Sequence, residues 1–209
     1  MNDEERLAEL LCARLCHDLA GPLGGASAGA ELLEEEAEGN EALALLASSV
    51  GIAAGRLRYL RAAFGHGGAP GEAAALRDMV RGYFDGSATA AGRCALTWAW
   101  RGDETVDGIT AKLLLNLAAM AREALPRGGT VTISGPALEV TAEGRGAMPG
   151  EAGAALAAKG ADGLSPRQVQ GYFAARLAQR LGKRISLAAS GEQVCFTVTD
   201  LDAAPLPSH

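Results

Sequence analysis

His17 and Asp18 stand side by side in the run Cys16-His17-Asp18-Leu19-Ala20-Gly21-Pro22-Leu23. An imidazole is a nucleophile that titrates near neutrality, and a neighbouring carboxylate favours the tautomer that leaves the attacking nitrogen unprotonated. The pair therefore suits phosphoryl-acceptor chemistry. Pro22 has no N–H, so the carbonyl of Asp18, four residues earlier, loses its helical donor, and the helix is expected to bend beside the histidine.

Long helices must hold this pair. Cys12, Cys16, Leu19, Leu23, Ala26, Ala30 and Leu33 recur at alternating spacings of four and three, the seam of a bundle helix, with Asp3 as its expected N-cap and Glu4 and Glu5 in its first turn. After a stop at Gly39, Asn40 is the expected cap of a second helix with Leu43, Leu46, Val50, Ala53, Leu57, Leu60 and Phe64 in the same alternation. So short a connection implies an antiparallel hairpin. Two helices cannot bury two such seams alone, so a second copy is expected to complete a four-helix bundle as a homodimer. His17, one position past the seam residue Cys16, points to the flank of the bundle and stays reachable from solvent.

The stretch from Gly65 to Gly71 breaks the periodicity and reads as a linker, which gives a hairpin domain over 1–66 and a second domain over 70–209. His66, inside it, is assigned no role. Beyond it, helices are expected over 73–84, 110–125 and 167–181, and strands over 95–100, 130–134, 138–141, 185–189 and 193–199. That order makes an α+β chain whose second part is a mixed sheet covered by helices.

Composition narrows the function. The formal net charge of −6 provides no basic footprint for nucleic acid. No apolar run reaches the roughly 18 residues of a membrane span, and the acidic N-terminus is unlike a signal peptide, so a cytoplasmic protein is expected. Cys12, Cys16, Cys94 and Cys195 lack C-x-x-C spacing and are expected as reduced core thiols. A zinc site from Cys12, Cys16 and His17 is disfavoured because His17 is turned about 100° from the face the cysteines share.

The run from Cys16 to Leu23 resembles the phosphoacceptor H-box of two-component histidine kinases, in which His is followed by an acid, Leu, two residues, Pro and Leu. The order of domains is similar as well: the hairpin resembles the dimerisation and phosphotransfer domain, and the remainder resembles the ATPase-like α/β sandwich. The segment from Leu113 to Val131 is similar to the kinase N-box and the strand after it, and it departs from the pattern where chemistry matters. Asn116 matches, but Met120 stands where the family's metal-holding Asn belongs, and a thioether is a poor ligand for Mg²⁺. In Ala142-Glu143-Gly144-Arg145-Gly146, Ala142 replaces the Asp that binds adenine, and Glu143, one residue off, points to the opposite strand face. The stretch from Gly160 to Pro166 lacks the repeated glycines that close on a triphosphate.

A phosphoacceptor hairpin joined to a nucleotide-incompetent kinase-like domain resembles the ChpT-type histidine phosphotransferases of bacterial phosphorelays. The resemblance implies that His17 takes a phosphoryl group from the receiver domain of a hybrid histidine kinase and passes it to response regulators. Asp18 would orient the ring, and Mg²⁺ would be supplied by the receiver, with no cofactor in this chain. Arg14, Leu11, Leu15, Gly21 and Pro22 are the expected docking residues. An atypical kinase that binds ATP and a non-enzymatic receiver-binding adaptor are the alternatives.

Overall fold

The computed structural model describes residues 2–35, 40–65, 71–86, 92–100, 104–135 and 137–201. The expected helix stop at Gly39, the middle of the Gly65–Gly71 linker (66–70, with His66), and the C-terminal tail from 202 lie outside the described residues. The side chain of Asn40 does too.

Two antiparallel helices, α1 (Asp3–Glu35) and α2 (Asn40–Phe64), form the hairpin. The cap of α1 is Asn2, not Asp3. Asn2 Oδ1 accepts from the Glu5 amide at 2.8 Å while Glu5 Oε2 accepts from the Asn2 amide at 3.0 Å, a reciprocal capping box. Asp3 is thereby free to reach across to the C-terminal half, where it accepts from Tyr172 Oη at 2.7 Å, from Arg176 and from the Ala161 amide. The two helices approach through small residues: a Cβ on Gly29 would lie 2.9 Å from the Leu46 backbone nitrogen, and one on Gly25 would lie 2.8 Å from Ser49 Oγ.

The heptad seams line the interior of the hairpin only in part: Leu60 is buried and Leu19, Leu46 and Phe64 are half-buried. Leu23, Leu43, Val50 and Leu57 are 56, 55, 51 and 47 % exposed, while Ala42, Ser49, Tyr59 and Ala63 are buried. Cys12 and Cys16 are exposed, contrary to their expected place in a core; only Cys94 is a buried thiol. The physical reason is shape. Close helix approach within the hairpin requires glycine, alanine and serine, and turns the leucine seam outward.

The remaining elements are β1 (Gly71–Glu72), α3 (Ala73–Asp85), β2 (Cys94–Ala99), β3 (Thr105–Val106), α4 (Gly108–Glu123), β4 (Gly129–Ser134), β5 (Glu139–Glu143), α5 (Glu151–Ala154) with a 3₁₀ turn after it, α6 (Val169–Arg180), β6 (Lys183–Ser190) and β7 (Gln193–Asp200). The main sheet has the order β2-β4-β5-β7-β6, parallel only between β2 and β4, and β1 pairs with β3 apart from it. Alternation decides its faces: Val131, Ile133, Val140, Ala142, Val194, Phe196 and Val198 point under the helices, and the threonines between them point away.

Helix α4 lies at the centre. Asp107 caps it, its Oδ1 accepting from the amides of Ile109 and Thr110 at 3.0 Å each, and every residue from Leu113 to Ala121 is buried. The hairpin shares this core through Tyr59 and Ala63. Tyr59 Oη donates to Leu115 O at 2.5 Å, Asn116 Nδ2 donates to Ala63 O at 3.1 Å, and Lys112 Nζ reaches Gly65 O. One sequence expectation needs correction here. Glu41–Phe64 is long and apolar enough to cross a membrane by length and composition, with mean hydropathy 1.2. Only 17 % of its apolar window is buried within the chain; the C-terminal half of the segment buries Tyr59 and Ala63 in the core while carrying Arg56, Arg58 and Arg61.

Candidate functional site

The periodicity of α1 fixes the first part of the site. Arg14 and Asp18 lie one turn apart on one face, and Arg14 Nε donates to Asp18 Oδ2 at 2.9 Å. His17 sits beside them with 65 % of its side-chain surface accessible, and its Nδ1 is 3.2 Å from Asp18 Oδ1. A carboxylate only accepts, so Nδ1 donates in this contact, and in the neutral form of the ring the lone pair is on Nε2.

Helix α1 runs through Pro22 as one 33-residue helix. The carbonyl that Pro22 strips of a donor, that of Asp18, is served from the other arm of the hairpin: Arg56 Nη1 donates to Asp18 O at 2.8 Å. Both ends of Asp18, main chain and side chain, are thus tied to arginines.

Packing of α1 on the C-terminal half supplies the rest. Arg14 was expected as an exposed charge available to a partner. It is only 5 % exposed, because its flank of α1 faces the end of α4, and its Nη2 forms an ion pair with Glu123 Oε1. Burial opposes the guanidinium charge, but the carboxylates of Glu123 and Asp18 outweigh it and raise the pKa above the ordinary arginine range. Tyr83, stacked on Tyr59 with centroids 4.0 Å apart, borders the same cluster. Burial first, then the nearby Glu123 and Asp18 charges, push its phenol up to about 12.

A cleft of about 560 Å³ opens beside the histidine, with Arg14, His17, Asp18 and Glu123 on one side and Met148, Pro149 and Gly150 on the other. At its rim Arg167 pairs with Glu151 at 3.4 Å. Of the other expected docking residues, Gly21 is exposed and Pro22 half-buried. Leu11 and Leu15 are half-buried and face a separate apolar hollow with Leu57, Leu60 and Phe64. Sequence reasoning missed Glu123, Arg56, Glu151 and Arg167. None carries a local signal, since each reaches the site by tertiary packing.

The residues whose sequence pattern resembles kinase nucleotide contacts lie in the interior. Met120 and Ala142 are buried in the core at 2 and 0 % exposure. Asn116 spends its amide on Ala63 O and Lys112 O and accepts from Gln170. Helix α5 lies so close to α6 that a Cβ on Gly171 would sit 1.8 Å from Ala152 O. Among the described residues, no group of three or more His, Cys, Asp or Glu side chains could hold a metal ion.

Residues 73–193 match the model of the histidine phosphotransferase C-terminal domain. The chain is 30 % identical to the protein phosphotransferase ChpT of Brucella abortus (strain 2308), an alignment that covers 91 % of this chain and 94 % of that protein. A solved structure of a bacterial phosphotransferase superposes with a TM-score of 0.78 at 29 % identity, over 95 % of this chain and 98 % of the other. With more than half of its length matched by the domain and nearly all of it aligned to such a relative, the chain belongs to the histidine phosphotransferase family of ChpT.

Proposed function

We propose that His17 is the phosphoacceptor of this phosphorelay phosphotransferase. The observation that carries the reading is the exposed imidazole whose Nδ1 faces Asp18 Oδ1 at 3.2 Å, next to an open cleft. The Nε2 lone pair attacks the phosphorus of a receiver's aspartyl phosphate. The P–O bond to the carboxylate breaks, and the Asp leaves with the bonding pair. The Nδ1 proton stays on the ring, and Asp18 offsets the positive charge of the phosphohistidine. In the second half of the relay a response-regulator Asp attacks the same phosphorus and His17 departs. Little besides a positioned nucleophile is required, since the receiver brings Mg²⁺ and the acyl phosphate. Gly21 and Pro22, next to the histidine, are part of the receiver's landing surface.

The working unit is a homodimer in which the outward seam of Leu23, Leu43, Val50 and Leu57 meets its copy to close a four-helix bundle. Burial of that seam accounts for four large apolar side chains left about half exposed in one chain. Four unpaired thiols, two of them exposed, suit the reducing cytoplasm. The chain does not use ATP. Met120 and Ala142 offer neither oxygen ligand nor acid at the places where the kinase pattern needs them, and the Asn116 amide is committed to backbone carbonyls.

The test is incubation with a phosphorylated receiver domain and detection of acid-labile, alkali-stable label on this chain. His17→Ala abolishes the label; a His17→Ala protein that still takes it up sinks the assignment. Asp18→Asn slows transfer about 10- to 100-fold with the fold retained, and an unchanged rate shows that the carboxylate is dispensable. Micromolar Mg-ATP binding by calorimetry would instead favour an atypical kinase, and receiver binding without transfer an adaptor.

A further inference from the structure

The structure assigns Glu123, at the end of α4, the role of a positioning residue that acts on His17 through Arg14 and Asp18. The assignment rests on His17 being the phosphoacceptor. It also gives the C-terminal half, which has lost its nucleotide contacts, a part in the transfer reaction.

Arg14 is buried and must have its charge balanced locally. It presents separate edges to two carboxylates, Nε to Asp18 Oδ2 and Nη2 to Glu123 Oε1. Because Glu123 neutralises one edge, Arg14 needs only one oxygen of Asp18. Oδ1 stays available for His17 Nδ1, and the Arg14, Asp18 and Glu123 triad retains a net negative charge beside the ring. Without the Glu123 charge, the fork of Arg14 has one carboxylate left and draws on both of its oxygens, the bidentate geometry that guanidinium prefers. His17 then loses its acceptor, and the neutral ring relaxes toward the Nε2–H tautomer, which blocks the attacking nitrogen.

Glu123 is well placed to hold this arrangement. Tyr59, Ala63 and Gly65 of the hairpin are bonded to Leu115, Asn116 and Lys112 of α4, so the helix that carries Glu123 is registered against the hairpin. Of the other groups facing the cluster, Tyr83 and Tyr59 are held protonated by burial, Arg56 adds a fixed positive charge at Asp18 O, and Arg167 and Glu151 at the cleft rim pair with each other.

The experiment uses the full chain with phosphoramidate as a small phosphodonor, so that receiver docking plays no part; Nε2 attacks phosphorus as the P–N bond breaks and ammonia leaves. Glu123→Gln is expected to slow phosphorylation at least about tenfold, with the ¹⁵N signals of the His17 ring moving from the Nδ1–H toward the Nε2–H tautomer. Arg14→Met with Glu123→Leu replaces both members of the ion pair by apolar groups of similar size, an exchange that folds tend to tolerate; with no guanidinium left to draw on Asp18, its oxygens are open to His17 again, and the ring should return to the Nδ1–H tautomer in a folded protein. A folded Glu123→Gln chain with wild-type rate and tautomer, or a folded double variant whose His17 ring stays in the Nε2–H tautomer, overturns the role of Glu123. Label on a His17→Ala chain overturns instead the phosphoacceptor reading beneath it.

Discussion

Arg56 on α2 donates a 2.8 Å hydrogen bond to the backbone carbonyl of Asp18 on α1, the carbonyl that Pro22 leaves without a helical donor. A proline in mid-helix costs roughly 3 kcal/mol, partly through that orphaned carbonyl. Here the second arm of the hairpin makes the missing bond, at the residue whose side chain faces His17.

Arg56→Met should therefore cost about 1–2 kcal/mol, and should cost less in a Pro22→Ala background, where the amide restored at position 22 serves the same carbonyl. A double-mutant cycle in urea measures the coupling. Additive effects would show that the arginine bond does not compensate for the proline.

Leu23→Glu and Val50→Glu each place a charge on the outward seam. Sedimentation should show the native chain as a dimer and the variants shifted toward monomer, with the wild-type Tm rising with protein concentration as linked association requires. A native chain that sediments as a monomer would remove the four-helix bundle from the proposed function.

Tyr59, 1 % exposed, joins the hairpin to α4. Loss of its bond to Leu115 O in Tyr59→Phe should cost about 1 kcal/mol, and Tyr59→Ala about 3–5 kcal/mol through the cavity as well. The check is a lower urea midpoint at an unchanged slope; a shallower slope would mean that the hairpin unfolds separately.

Asp3 and Asp107 both titrate below their ordinary value of 3.8. For Asp3 the main cause is the Ala161 amide, followed by Tyr172. For Asp107, burial works the other way and is outweighed by the bonds from Thr110 and Ile109. A depressed native pKa adds stability above the unfolded value and loses it as pH falls through the native one. The contribution of both groups should thus be constant from neutrality down to about pH 4 and vanish below it. Asp3→Asn and Asp107→Asn should each flatten the acid limb of a Tm-against-pH curve, and Asp107→Ala should cost about 1 kcal/mol at neutral pH.

Much of the fold is legible in the chain because its signals are local. The three-four alternation locates both hairpin helices, and the elements expected over 73–84, 110–125 and 167–181 fall on α3, α4 and α6. The two-residue strands β1 and β3 and the four-residue α5 have no period to read. The seams were legible as seams, but which neighbour they meet depends on helix separation, and where Gly25 and Gly29 bring α1 and α2 close together, Leu23, Leu43 and Val50 turn outward.

The sequence by itself determined the His17 and Asp18 pair, its exposure on the flank of a helix, and the carbonyl freed by Pro22. Each follows from the geometry of one helix over a few residues. Only the tertiary structure decided that Arg14 is buried and that Glu123, 109 residues away, completes its ion pair. The same holds for Arg56, 38 residues from Asp18, which satisfies the freed carbonyl. Those partners are set by how α1 packs on α2 and α4, and packing between distant segments leaves no spacing in the chain to read.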